Sequence, residues 1–129
     1  MQNLVGIFRV EEDVVKALGE LEKLKQRAAR VRVEGSRLFN PGWHLARDLK
    51  NMLTVSEAIA RSALLRKESR GAHSRLDFTA PDPALGQVNR CVTRGASGMQ
   101  VAATPLPQMP PELKTFFDAK PVAKQEVTR

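Results

Sequence analysis

The stretch Val10-Glu11-Glu12-Asp13-Val14-Val15-Lys16-Ala17-Leu18-Gly19-Glu20-Leu21-Glu22-Lys23-Leu24-Lys25-Gln26-Arg27-Ala28-Ala29-Arg30-Val31-Arg32-Val33 decides the fold. Val10, Val14, Ala17, Leu21, Leu24, Ala28 and Val31 recur at alternating spacings of four and three, which keeps one apolar stripe on one helical face. The spacing predicts a helix over 10–33. Glu11, Glu12 and Asp13 sit where a helix N-terminus favours anions, and Lys25, Arg27, Arg30 and Arg32 where its C-terminus favours cations. Gly35 is the expected stop.

A second period follows a turn. Asn40-Pro41-Gly42 is turn chemistry, and Asn40 can cap a helix that takes Pro41 at its first position. Leu45, Leu49, Met52, Ser56, Ile59 and Ala63 repeat the four-three spacing, while Ala46, Leu53, Ala60 and Leu64 widen the stripe. A helix over 42–69 is predicted, with more than one neighbour against it and Gly71 as terminator. Two such helices make an antiparallel hairpin whose stripes are only half covered, so a third helix is expected. Residues 1–9 are too short to supply it.

The pattern changes at residue 77. Asp77-Phe78-Thr79-Ala80-Pro81-Asp82-Pro83 breaks regular structure because its prolines remove donors and fix φ. Val88, Arg90 and Val92, then Met99, Val101 and Ala103 after Gly95-Ala96-Ser97-Gly98, alternate as in a small β-hairpin. Pro105, Pro107, Pro110 and Pro111 make an extended segment, and Pro111-Glu112 opens a short helix expected to bury Leu113, Phe116 and Phe117. The fold class is therefore mainly α: two long antiparallel helices, part of a three-helix bundle, followed by a β-hairpin and a Pro-rich C-terminal extension. The expected division is 1–76 helical domain, 77–118 hairpin and extension, and 119–129 flexible tail.

Composition agrees with helix packing. The chain of 129 residues is 42% apolar and 27% charged, with no Tyr and one Trp, so its core must be mostly aliphatic. A net charge of +7 permits nucleic acid, anionic membrane or an acidic protein surface as partner. Cys91, the only cysteine, excludes an internal disulfide and is expected to be a small half-buried residue of a strand. His44 reads as a helix-surface residue. No C-x-x-C, H-E-x-x-H or carboxylate cluster occurs, so no metal site and no catalytic residue is expected. No G-x-G-x-x-G occurs, and the Gly95-to-Gly98 pair reads as a turn.

The densest polar feature is Arg66-Lys67-Glu68-Ser69-Arg70-Gly71-Ala72-His73-Ser74-Arg75-Leu76-Asp77. A charged helix end explains Arg66, Arg70 and Gly71. It does not explain why His73, Arg75 and Asp77 follow at once, a pattern that fits a hydrogen-bonding latch to another surface, for which the planar fork of Arg is suited.

This segment resembles the R-x-E-S-R-G-x-H-x-R-x-D signature of succinate dehydrogenase and fumarate reductase flavoproteins. Val5-Gly6-Ile7-Phe8-Arg9, Phe39-Asn40-Pro41-Gly42-Trp43, Leu49-Lys50-Asn51-Met52-Leu53 and Pro105-Leu106-Pro107 resemble the same family, so nearly the whole chain is covered. Two stretches depart from it: Ala84-Leu85-Gly86-Gln87, where a Trp is usual, and Ala103-Thr104, where many members carry Tyr-Arg. The resemblance implies a C-terminal helical domain whose first helix is truncated at Met1. It implies packing against the flavin-binding domain, with Arg66, Glu68, Ser69, Arg70, Gly71, His73, Arg75 and Asp77 as docking residues. It implies FAD in the intact flavoprotein but none bound by this chain, an iron–sulfur subunit as further partner, and a cytoplasmic location, peripheral at the inner face of the membrane in the intact complex, without direct insertion. Nucleic acid is not an implied partner. L-aspartate oxidase, which shares a similar Glu-Ser-Arg-Gly-x-His segment, and a basic helical module binding nucleic acid or protein through Arg27, Arg30, Arg32 and Arg37, are the alternatives.

Overall fold

A computed structural model describes residues 1–118; the tail expected over 119–129 lies outside the described residues. The order of elements is β1 (Phe8–Arg9), α1 (Glu11–Ala28), α2 (Pro41–Leu65), β2 (Ser74–Arg75), a 3-10 turn (Leu85–Gln87), β3 (Val88–Gly95), β4 (Gly98–Pro105) and α3 (Pro111–Asp118). Both long helices are shorter than their apolar periods. α1 tightens at its end, where Arg30 N–H bonds to the Arg27 carbonyl and Val31 N–H to the Ala28 carbonyl. Val33 then folds back onto Gly42, whose missing side chain leaves room for its Cγ1 methyl. The Asn40 cap forms as read: its side chain accepts from Gly42 N–H at 3.0 Å, with Pro41 in the first turn.

The hairpin is antiparallel: Glu11 meets Lys67 at one end, and Lys25 meets Glu57 further along. Val14, Ala17, Leu21 and Ala28 of α1 pack on Leu53 and Ala60 of α2, with Val5 closing the end. Ala60 is fully buried, so the two backbones approach closely there. On α2 the buried residues are Leu53, Glu57, Ala60 and Ala63, with Leu49 partly buried beside them, while Leu45, Met52 and Ile59 of the expected stripe are exposed. The rotation follows from Glu57. Its carboxylate lies inside the interface because Lys25 of α1 and Arg61 one turn on both bond to it, and burial of a charge is tolerated only when it is paired.

Three elements depart from expectation. β1 and β2 form a parallel pair of two residues each, Phe8 with Ser74 and Arg9 with Arg75, too short to leave a period in the sequence. The hairpin β3–β4 pairs Val88 with Pro105 through Gly95 with Gly98 as expected, but Cys91 is exposed on it rather than half-buried, while its neighbours on the alternate face, Val88 and Arg90, are half-buried. α3 forms, yet Leu113, Phe116 and Phe117 are exposed, since nothing among the described residues packs on them. The small sheet and three helices give the mainly α architecture with a β-hairpin; α3 is not the third member of the bundle. His44 is exposed on α2.

Ala60→Leu would force a larger side chain between backbones already in contact. A destabilisation of about 1–3 kcal/mol is expected, read as a lower denaturation midpoint with unchanged slope.

Candidate functional site

α2 ends at Leu65 with carbonyls that no further turn can satisfy, and no basic residue lies in its own last turn. Donors from elsewhere in the chain, two arginines and a neutral imidazole, serve instead. Arg75 Nη1 donates to the Ala63 carbonyl at 3.2 Å, Arg90 Nη2 to that of Leu65 at 3.1 Å, and His73 Nε2 to that of Arg66 at 2.9 Å. These are the C-terminal charge interactions of a helix, delivered by tertiary structure.

The tautomer of His73 follows from its other neighbour. Arg9 Nη1 lies 2.7 Å from Nδ1. A guanidinium can only donate, so Nδ1 accepts and the proton sits on Nε2. Burial lowers the pKa of His73; the Arg66 carbonyl raises it, and the nearby Arg9, Arg75 and Arg66 charges lower it further. The neutral ring is thus a strut between β1 and the end of α2.

Arg75 and Glu68 are buried charges at the centre. Arg75 donates from Nε and Nη2 to the two oxygens of Asp77 at 2.7 and 2.6 Å, a bidentate pair. It also stacks on Phe78, with Cζ 5.0 Å from the ring centre. The Asp77 bonds raise the Arg75 pKa against the cost of burial, and the Arg75 bonds hold Asp77 well below the usual carboxylate range. Asp77 has a second task. Val10 makes no side-chain cap for α1, and Asp77 Oδ2 accepts from Glu11 N–H at 3.0 Å in its place.

Glu68 is the opposite pole. Arg66 Nε donates to one oxygen at 2.7 Å; Arg70 Nε at 3.0 Å and Asp82 N–H at 2.9 Å donate to the other. Burial would raise the Glu68 pKa, but these donors outweigh it and hold the pKa at about 2. Arg70 Nη2 continues to the Asp82 carbonyl at 2.9 Å, and Asp82 Oδ1 caps the following turn through Ala84 N–H at 2.8 Å. A side chain at Gly86 would meet the Arg70 guanidinium at 2.8 Å. Ser69 Oγ accepts from Arg75 N–H and donates to the Phe78 carbonyl, both at 2.8 Å. Gly71 takes φ +58° in the tight turn where Arg70 and His73 exchange backbone bonds.

All eight residues singled out from the sequence fall in this one cluster. Glu68 and Arg75 are buried, Ser69 and His73 are half-buried, and Arg66 and Arg70 keep an outward edge. Sequence reasoning missed Arg9, Glu11, Asp82 and Glu57. Asp82 carried a signal, an Asp two residues before a free N–H, which is an Asx turn. Glu57 carried one as well, Arg61 four residues on; Arg9 and Glu11 carried none, because their partners lie far away in the chain. No nucleophile–base pair exists in the cluster, and among the described residues no group of His, Cys, Asp and Glu is arranged to hold a metal ion. No helix among them is long and apolar enough to cross a membrane.

Comparison with known proteins gives a single answer. The family model for the fumarate reductase flavoprotein C-terminus matches residues 1–115. A fumarate reductase flavoprotein subunit of Haemophilus influenzae is 42% identical over 83 residues, 64% of this chain and 14% of that protein. The apo Sdh1 complex of Mycobacterium smegmatis superposes with TM-score 0.73 at 44% identity, over 86% of this chain and 19% of that one. A quinol fumarate reductase variant of E. coli superposes with TM-score 0.77 at 34% identity, over 86% of this chain and 20% of that one. The chain thus spans about a fifth or less of the relatives it matches.

The cluster sets the acid response. Glu68 falls from 4.5 to about 2 on folding, Asp77 is also lowered, and His73 is lowered from 6.5. In each case the unfolded chain binds the proton more readily, so stability is complete above the unfolded pKa and drains away as pH falls. The unfolding temperature should be flat above pH 7, fall below about 6.5 as His73 begins to protonate, and fall further below about 4.5 as the carboxylates follow. Glu68→Gln strands two guanidinium groups and should cost on the order of 3 kcal/mol at neutral pH. It should also remove part of the acid dependence below pH 4.5, measured by thermal melts across pH.

Proposed function

The chain belongs to the family of fumarate reductase flavoprotein C-terminal domains, and on that premise we propose that it is the helical domain of an FAD-dependent succinate dehydrogenase or fumarate reductase. In this reading it packs against the flavin-binding body, supports assembly with an iron–sulfur subunit at the cytoplasmic face of the membrane, and carries out no chemistry of its own. The observation that carries the reading is the uncovered apolar flank of the helix pair. Leu24 and Val31 of the α1 side and Leu45, Leu49 and Met52 of α2 line adjoining grooves of 410 and 740 Å³. Met52 is 65% exposed and Leu45 68%, far more than a monomer surface needs. A third helix laid in this groove would complete the bundle.

The ionic cluster supports the same reading differently. Glu68, Ser69, Arg75 and Asp77 are taken up in holding the loop, so they shape the docking edge, while Arg66, Arg70, Gly71 and the rim of His73 present it. FAD belongs to the body. The residues here do not make a cradle for it: β1 runs into α1 through Val10 and three acids rather than through glycines, and the one buried arginine, Arg75, is already paired.

A chimaera of the E. coli quinol fumarate reductase flavoprotein carrying this chain as its C-terminal part tests the reading. It should retain flavin and reduce fumarate, while Met52→Glu and Arg70→Ala in the chimaera should each lower flavin content and assembly several-fold. Full flavin content in both variants would refute it.

A further inference from the structure

Where the chain turns from α1 to α2, a cleft of 460 Å³ opens between residues 28–40 and the first turns of α2. Its polar wall is Arg37, Arg47 and Lys50, with Ser36 and Asn40, and Trp43 supplies a ring. No carboxylate lines it. Among the described residues none of the three cations is in a salt bridge. The one contact recorded for the Arg47 guanidinium is with the Trp43 ring, 5.9 Å from its centre. Many cations elsewhere are matched: Lys25 and Arg61 share Glu57, Arg66 and Arg70 share Glu68, and Lys67 and Arg75 reach Glu11, whereas Lys16, Arg94 and Lys114 stand singly among the described residues. Arg27, Arg30 and Arg32, also outside any salt bridge among the described residues, flank the same end. Six cations, Arg27, Arg30, Arg32, Arg37, Arg47 and Lys50, against the two acids Glu34 and Asp48, thus lie at one end of the hairpin around one concavity. The Gly42 N–H is already bound by Asn40, so the side chains and not the helix terminus make the site attractive to anions.

We propose that this cleft binds a small polyphosphorylated ligand. Three unpaired cations on a wall of this size match the two to three charges of a pyrophosphate group, and Arg supplies paired donors to its oxygens. The volume suits a ligand of a few tens of atoms, and the Trp43 face accepts a planar ring. The cleft shares Val31, Val33 and Ala46 with the 740 Å³ apolar groove. At about 100° per residue, its Arg47 nevertheless lies on the opposite side of α2 from Leu45 and Met52, so the cation wall and the apolar groove face different ways.

Trp43 is the chain's sole tryptophan, so its fluorescence reports on this cleft alone. Titration with inorganic pyrophosphate at constant ionic strength should give a saturable change as Arg47 leaves the indole for the ligand. Arg47→Gln and Lys50→Gln should each weaken binding about tenfold, the loss of one charge-assisted contact. Lys16→Gln, twelve residues along α1 from Ala28, should leave it unchanged. These positions are exposed, so the fold is kept, which far-UV circular dichroism checks. The proposal fails if the signal does not saturate, if sodium chloride of equal ionic strength reproduces it, or if Lys16→Gln weakens binding as much as the cleft variants.

Discussion

A charged guanidinium held out of water organises this domain. The Arg75 side chain has no exposed surface, and a buried charge persists only when it is paired and its donors are bound. Asp77 takes two of its bonds and the Ala63 carbonyl takes another, which places the loop against the end of α2. Once there, Asp77 also meets the first N–H of α1, and the backbone of Arg75 pairs with Arg9. One desolvated cation thus fixes three chain segments that are remote in sequence. Glu68 does the same for the segment that follows, drawing Arg66, Arg70 and Asp82 onto one carboxylate.

The two ends of the helix pair differ in charge logic. At the cluster end most charged groups have partners, and the loop is rigid by hydrogen bonding rather than by apolar packing. At the turn end the cations make no salt bridge among the described residues, and Leu38 and Phe39 are exposed beside them, Phe39 with φ 54° in the left-handed region just before the Asn40 cap. Between the ends, the apolar face of α2 is only half used.

Much of the local structure was legible because its causes act within one or two turns. The Asn40-Pro41 cap, the acidic first turn of α1, the β3–β4 alternation and the Gly71 turn all rest on neighbours in sequence. The Arg/Glu/Ser/Arg/Gly/His/Arg/Asp run was legible as one cluster for the same reason. The choice of face on α2 was not. Its apolar arc is wide enough to offer two stripes, and Glu57, polar by type, lies in the buried one because Lys25 sits opposite. The expectation that Leu113, Phe116 and Phe117 would be buried failed likewise, since a helical period says which residues can share a face and not what covers it.

The sequence by itself determined the helix pair, its capping at Asn40, the hairpin and the membership of the polar cluster, because periodicity and turn chemistry are short-range. Only the tertiary structure decided that Asp77 caps α1 across the chain, that Arg9 fixes the tautomer of His73, and that Glu57 rather than Ile59 faces the core. Those outcomes depend on desolvating charges against distant partners, and the energy of a buried ion pair is set by where the partner lies in space, which no local pattern encodes.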